Sequence, residues 1–199
     1  MADRSTSPGH ATRSIETTRG LLTYAELAPL LAERVLSVEQ RIAVGDFAER
    51  PLDGEFIRSL HGDIAGALVP GWAGRWRSAA VRVGEHEAPP PHEVPVLIRL
   101  YTDDLASRLA YLEEATLLET LAFAEGRLLS IHPFLDFNGR VTRLWLRELL
   151  RRLELPPVDL VPTTSAEEPA YFAALRAGDS LNWKPLAEIW RQRLESYGV

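Results

Sequence analysis

The chain of 199 residues carries a formal charge of −6, from 22 Lys and Arg against 28 Asp and Glu, is 46% hydrophobic and has no cysteine. Its length fits one domain with a substantial core, its acidic balance argues against general nucleic-acid binding, and the lack of cysteine excludes disulfides, thiolate metal sites and a cysteine nucleophile. No apolar run nears the roughly 20 residues that span a bilayer and the start has no secretory apolar segment, which together predict a cytoplasmic protein that meets neither membrane nor nucleic acid. All basic residues but Lys184 are arginine, a bias read as that of a GC-rich bacterial genome.

Residues 1–20, rich in Ser, Thr, Arg and Gly, are expected to form a flexible lead-in to a single domain over 21–199. Thr23 followed by Glu26 reads as a capping box, and Pro29–Ile42 carries leucines and alanines at helical spacing. A second helix is predicted within Pro51–Leu68, with Phe56, Ile57, Leu60 and Ile64 on one side, broken by "VPGWAGRW". From Ala79 to Val96 short apolar residues alternate with polar ones around three consecutive prolines, which predicts the one piece of sheet, a hairpin with an irregular tip. Val96–Ile131 provides two helices or one bent one, and helices follow over "VTRLWLRELLRRLEL", "EPAYFAALRAGD" and "WKPLAEIWRQRLESY". The predicted class is all-α with a small β element.

The segment His132–Arg143, "HPFLDFNGRVTR", stands apart from this pattern of ordinary helices. It enters a helix near Gly139, where backbone amides without partners and the positive end of the helix dipole favour an anion. At 100° per residue Arg140, Arg143, Arg147 and Arg151 share one face, within about 60° of Arg140, while Val141, Trp145 and Leu149 take the other. Arg140 and Arg143 in the first turn can grip phosphate oxygens bidentately, whereas Arg147 and Arg151 read as solvated or paired. Asp136 suits Mg²⁺ held together with phosphates and waters, and His132 can take a proton near neutral pH. A base, a metal carboxylate, an amide nest and two arginines describe phosphoryl or nucleotidyl transfer to a hydroxyl.

These residues resemble the signature of the Fic (filamentation induced by cAMP) domain, H-P-F-x-[D/E]-G-N-G-R-x-x-R, and match eight of its nine specified positions. The segment from Leu60 to Ile98 is similar to the part of Fic domains that carries a Trp-Ala-Gly turn and a β-hairpin flap, so that the resemblance covers roughly residues 50–180. It implies a helical bundle and transfer of AMP from ATP to a Ser, Thr or Tyr hydroxyl of a target protein. On this chain it makes His132 the general base, Phe134 a core anchor and Asp136 the Mg²⁺ ligand. It assigns Phe137, Asn138, Gly139, Arg140 and Arg143 to the nucleotide and its phosphates, and gives the flap, about Val81 to Val94, the task of clamping the target by main-chain pairing.

Phe137 stands where the family usually has Gly or Ala, a position whose backbone a bulky residue adopts only with strain. Gly139 is present where the related Doc kinases carry Lys, which favours nucleotidyl over phosphate transfer. The alternatives are a Doc-like phosphotransferase and a degenerate Fic fold that only binds. The inhibitory pattern [S/T]-x-x-x-E-[G/N] of many Fic domains has its nearest approach in "TRSIET", Thr12–Thr17, where Thr17 replaces the last residue. Restraint by a separate antitoxin-like partner, or none, is therefore expected. His86, Glu87, His92 and Glu93 are read as solvent-facing rather than as a metal cluster, and the five tryptophans as packing.

Overall fold

The computed structural model describes residues 14–162 and 164–198. Among these, seven α-helices surround one core: α1 (Tyr24–Ala43), α2 (Gly54–Ala65), α3 (Val94–Ala110), α4 (Glu114–Ile131), α5 (Asn138–Arg152), α6 (Glu168–Asp179) and α7 (Lys184–Glu195). Two antiparallel hairpins accompany them, β1 (Ser14–Thr17) with β2 (Gly20–Thr23), and β3 (Arg82–Val83) with β4 (His86–Glu87). The class is all-α with small β elements, as the patterning predicts.

Local chemistry sets most of the boundaries. α1 starts on the predicted capping box, in which Thr23 caps the Glu26 amide while the Glu26 carboxylate accepts from Thr23 N at 2.8 Å. α3, α6 and α7 each carry a proline in their first turn, where its missing N–H costs no helical bond. Phe56, Ile57, Leu60 and Ile64 of α2 are buried as their spacing requires.

Three expectations change. The lead-in over 1–20 gives way from Ser14 onward to the β1–β2 hairpin, which docks by Thr18 N and Oγ1 donating to the carbonyls of Leu68 and Ala67, both at 2.8 Å; residues 1–13 lie outside the described part. Among the described residues there are thus two hairpins rather than one, because pairing at "SIETTRGLLT" depends on a distant docking surface that no local pattern reveals. The flap hairpin is also shorter than Val81–Val94: its strands lie within 82–87, and the chain turns through a 3₁₀ segment at Pro91–Glu93 into α3.

The central helix α4 packs against α3, α5, α6 and α7. Tyr101 of α3 donates its hydroxyl to Ala124 O and accepts from Trp145 Nε1, both at 2.8 Å, which joins α3, α4 and α5 at one buried point. Trp183 lodges against Gly126 of α4 and Gly178 of α6; a Cβ at these glycines would come within 2.6 and 2.5 Å of its ring. Gly126 therefore lies inside a helix instead of ending one, because the indole occupies the space a side chain would need.

Candidate active site

The loop from α4 to α5 is held in shape before any ligand arrives. His132 caps α4 in the left-handed conformation (φ 49°) and Phe137 precedes α5 in the same region (φ 63°), two strained positions in one short loop. Asn138 closes it: its side chain accepts from Phe134 N and donates to Phe134 O, each at 2.9 Å. Both polar atoms of the Asn138 side chain are thus engaged within the loop, which leaves its backbone amide at the start of α5 as the group it can offer an anion.

Arg77, which no sequence motif singles out, clamps this loop. It is 2% exposed, and its guanidinium donates to the carbonyls of His132 (2.7 Å), Ile131 (3.3 Å), Ala79 (3.1 Å) and Pro89 (2.5 Å). A cation is thereby placed on the negative end of α4, while the two ends of the flap are tied to the histidine loop. Burial lowers the Arg77 pKa. His61 of α2 completes the support: its ring stacks on Phe134 at 4.0 Å and its Nδ1 accepts from Gly74 N at 2.8 Å. Gly74 holds φ +67°, and a Cβ there would approach Arg58 O to 3.3 Å, which is why the Trp-Ala-Gly turn ends on glycine.

Beside this support lies a cavity of about 640 Å³, and His132, Asp136, Phe137, Asn138, Gly139, Arg140 and Arg143 all border it. The predicted site residues are brought together. His132 Nε2 is buried without a hydrogen-bond partner among the described residues. Burial holds the ring down to about 4, against a hydrogen bond with the Leu129 backbone and with a further push from the Arg77 and His86 charges. At neutral pH the ring is uncharged with an Nε2 that no described residue occupies, the state a general base requires.

Asp136 Oδ1 accepts from Phe137 N at 2.8 Å. Arg140 Nη1 donates to the Tyr24 hydroxyl at 2.6 Å, which brings the first residue of α1 to the arginine end of the cavity. Arg143 makes no hydrogen bond or ion pair with any described residue, and its pKa is lowered by burial first and by the neighbouring Arg140 charge. Arg147 and Arg151 turn elsewhere, the first donating to Val158 O (2.7 Å) and the second to the buried Glu148 (2.8 Å). Glu148 is held below the usual carboxylate range: burial pulls upward, but hydrogen bonds from Arg151 and Arg152 prevail.

The Phe137 ring is 3% exposed and stacks on Trp72 at 5.4 Å, turned into the core. Along the cavity α6 supplies Tyr171, Phe172 and Leu175 as a largely apolar wall beside Val161 and Pro162. The buried Glu125 accepts there from Tyr171 Oη at 2.6 Å and from Arg193 Nη1 at 2.7 Å. No cluster of three or more His, Cys, Asp or Glu suited to a metal exists among the described residues. His92, Glu87 and Glu93 are exposed as expected, whereas His86 is partly buried and bonded at both nitrogens, against the solvent-facing reading. No helix among the described residues is long and apolar enough to cross a membrane.

A hairpin flap and a His-to-Arg loop between two central helices define a Fic-type bundle, and the sequence model of the Fic/DOC family matches residues 51–150. The chain belongs to the Fic/DOC family. It is 34% identical over 119 residues to the protein adenylyltransferase Fic of Drosophila willistoni, covering 60% of this chain and 23% of that protein. To the protein of the same name from Aedes aegypti it is 35% identical over 102 residues, covering 51% and 20%. The match thus spans less than a quarter of these relatives' own length. Among solved structures it is similar to the N-terminal Fic domain of Bep8 from Bartonella sp. 1-1C (TM-score 0.72, 15% identity, covering 98% of this chain and 95% of that one). It is also similar to BepC from Bartonella tribocorum, solved with bound AMPPNP (TM-score 0.69, 16% identity, 94% of each). The animal relatives overturn the reading of the arginine bias as a bacterial mark: composition does not fix the source.

Proposed function

We propose that the chain is a protein adenylyltransferase that moves AMP from ATP to a hydroxyl of a target protein. The observation that carries this is that the uncharged His132, its Nε2 without a hydrogen-bond partner among the described residues, borders the same cavity as Asn138, Gly139, Arg140 and Arg143. His132 takes the proton of the incoming hydroxyl as its oxygen bonds to the α-phosphorus; the bond from that phosphorus to the bridging oxygen breaks, and pyrophosphate leaves with its charge held by Arg140 and Arg143. The amides of Asn138 and Gly139 hold oxygens of the phosphate chain, and the apolar wall of α6 takes the base. Asp136 fits Mg²⁺: one carboxylate beside the phosphate end suits an ion that keeps waters and nucleotide oxygens as its other ligands. Such an ion would neutralise charge on the phosphates.

The name shared by the animal relatives and the nucleotide analogue in BepC support this reading over the alternatives. The inward turn of Phe137 supports it against a fold that only binds. The flap is the docking edge for the target, and the cytoplasm, where ATP is plentiful, is the compartment. Restraint by a separate inhibitory protein belongs to the same reading, because Glu16 of "TRSIET" is exposed on β1 and Arg143 has no ion pair among the described residues.

Incubation with α-labelled ATP and lysate tests the proposal. Protein label that vanishes in His132→Ala is the expected result, label from γ-phosphate alone means Doc-like phosphotransfer, and nucleotide binding without any label means a binding module.

A further inference from the structure

His86, at the start of β4, is held on both sides of its ring. Nε2 lies 2.8 Å from Ser130 O near the end of α4, and Nδ1 lies 2.9 Å from Asp179 Oδ2 in the last residue of α6. One side chain therefore joins the flap to two helices of the bundle, and it does so at the border of the cavity, where His86, Ser130 and Asp179 all appear. The flap needs such a hold. Its strands are two residues each, too few for ladder bonds to fix a hairpin's attitude. Arg77 ties its two ends through Ala79 O and Pro89 O, and the buried Val81 and Ala88 seat its base, which leaves the tip over 82–87 free to rock unless something anchors it.

We propose that His86 and Asp179 are positioning residues: Asp179 orients the imidazole, and the imidazole fixes the height of the flap's docking edge over His132. The role of that edge rests on the adenylyltransferase reading. The edge is tied to the last residue of α6, beyond the Tyr171, Phe172 and Leu175 wall, so the latch acts on the flap and leaves the base side in place. Neither His86 nor Asp179 touches the reacting groups in this arrangement; they act through the backbone of the flap.

Hydrogen exchange on the full chain, without nucleotide, tests the anchoring directly. Asp179→Ala and His86→Ala are expected to speed exchange of the flap amides, 81–88, about tenfold while the amides of α2 and α5 keep their rates. Asp179→Asn, which keeps an acceptor at the same place, falls between and serves as the second variant if the alanine proteins fold poorly. Flap exchange unchanged in folded variants overturns the proposal. In the α-labelled ATP assay the half-saturating dose of the labelled target is expected to rise about fivefold in Asp179→Asn, with the dissociation constant for Mg²⁺-ATP unchanged. An unchanged target dose despite a loosened flap equally overturns it. If the wild type labels nothing, the adenylyltransferase reading fails by itself, and the exchange comparison still decides whether this pair holds the flap.

Discussion

The ring of Phe137 stacks on Trp72 with centroids 5.4 Å apart while its own backbone stays left-handed at φ 63°. A bulky residue occupies a glycine-type conformation because burial of its ring outweighs the strain. The left-handed backbone costs roughly 1–2 kcal/mol, against roughly 3–5 kcal/mol for deleting a buried Phe. Phe137→Gly, which restores the residue usual in the family, is therefore expected to lower unfolding free energy by about 2 kcal/mol in urea titration. Nucleotide affinity is expected to survive, since the ring points into the core; a gain in stability would mean that strain outweighs packing.

Arg143 and Arg140 should respond differently to substitution. Arg143 is a half-buried cation with no hydrogen bond or ion pair to a described residue, so Arg143→Ala is expected to keep or raise the thermal midpoint while kcat/KM for nucleotide falls about 30-fold. Arg140 is steered by the Tyr24 hydroxyl at 2.6 Å, and Tyr24→Phe removes that guide alone. A rise of about fivefold in the nucleotide KM is expected, the worth of one ordinary hydrogen bond. A fall in KM would show that Tyr24 holds Arg140 back from the phosphates instead of aiming it.

Arg77→Met keeps an unbranched stem and removes the guanidinium, so that the carbonyls of Ala79, Pro89, Ile131 and His132 lose this charged donor. A loss of about 3 kcal/mol is expected from urea unfolding, because buried acceptors are left undercompensated. Arg77→Lys retains the charge but not the fork and should recover only part of it.

Stability should fall on the acid side in a definite window. His61 and His132 are each held down to about 4 from 6.5, chiefly by burial. The unfolded chain binds these two protons at a higher pH than the folded one, so both contributions are complete above pH 6.5 and are lost as pH falls toward 4. At about 1.4 kcal/mol per pH decade, each ring withdraws about 3 kcal/mol over that interval. Urea midpoints measured across that window check this, and a flat profile would show that the rings are hydrated in solution.

Much of this protein is written locally. The helical stripes, the Thr23–Glu26 cap and the prolines in first helical turns depend on neighbours within a turn or two, so the sequence determines where most helices form and which faces they bury. The residues of His132–Arg143 are likewise legible, because their order along one loop and one helix face already assembles base, carboxylate and cations. What joins residues far apart in the chain was decided only by tertiary structure. Arg77 reaches the His132 carbonyl across 55 residues, Tyr24 meets Arg140 across 116, and His86 finds Ser130 and Asp179 in two different helices. The direction of the Phe137 ring, the diversion of the Asn138 side chain to Phe134 and the docking of β1–β2 are of the same kind. Each is a choice among partners that a side chain could reach, and only the packed bundle says which partner is there.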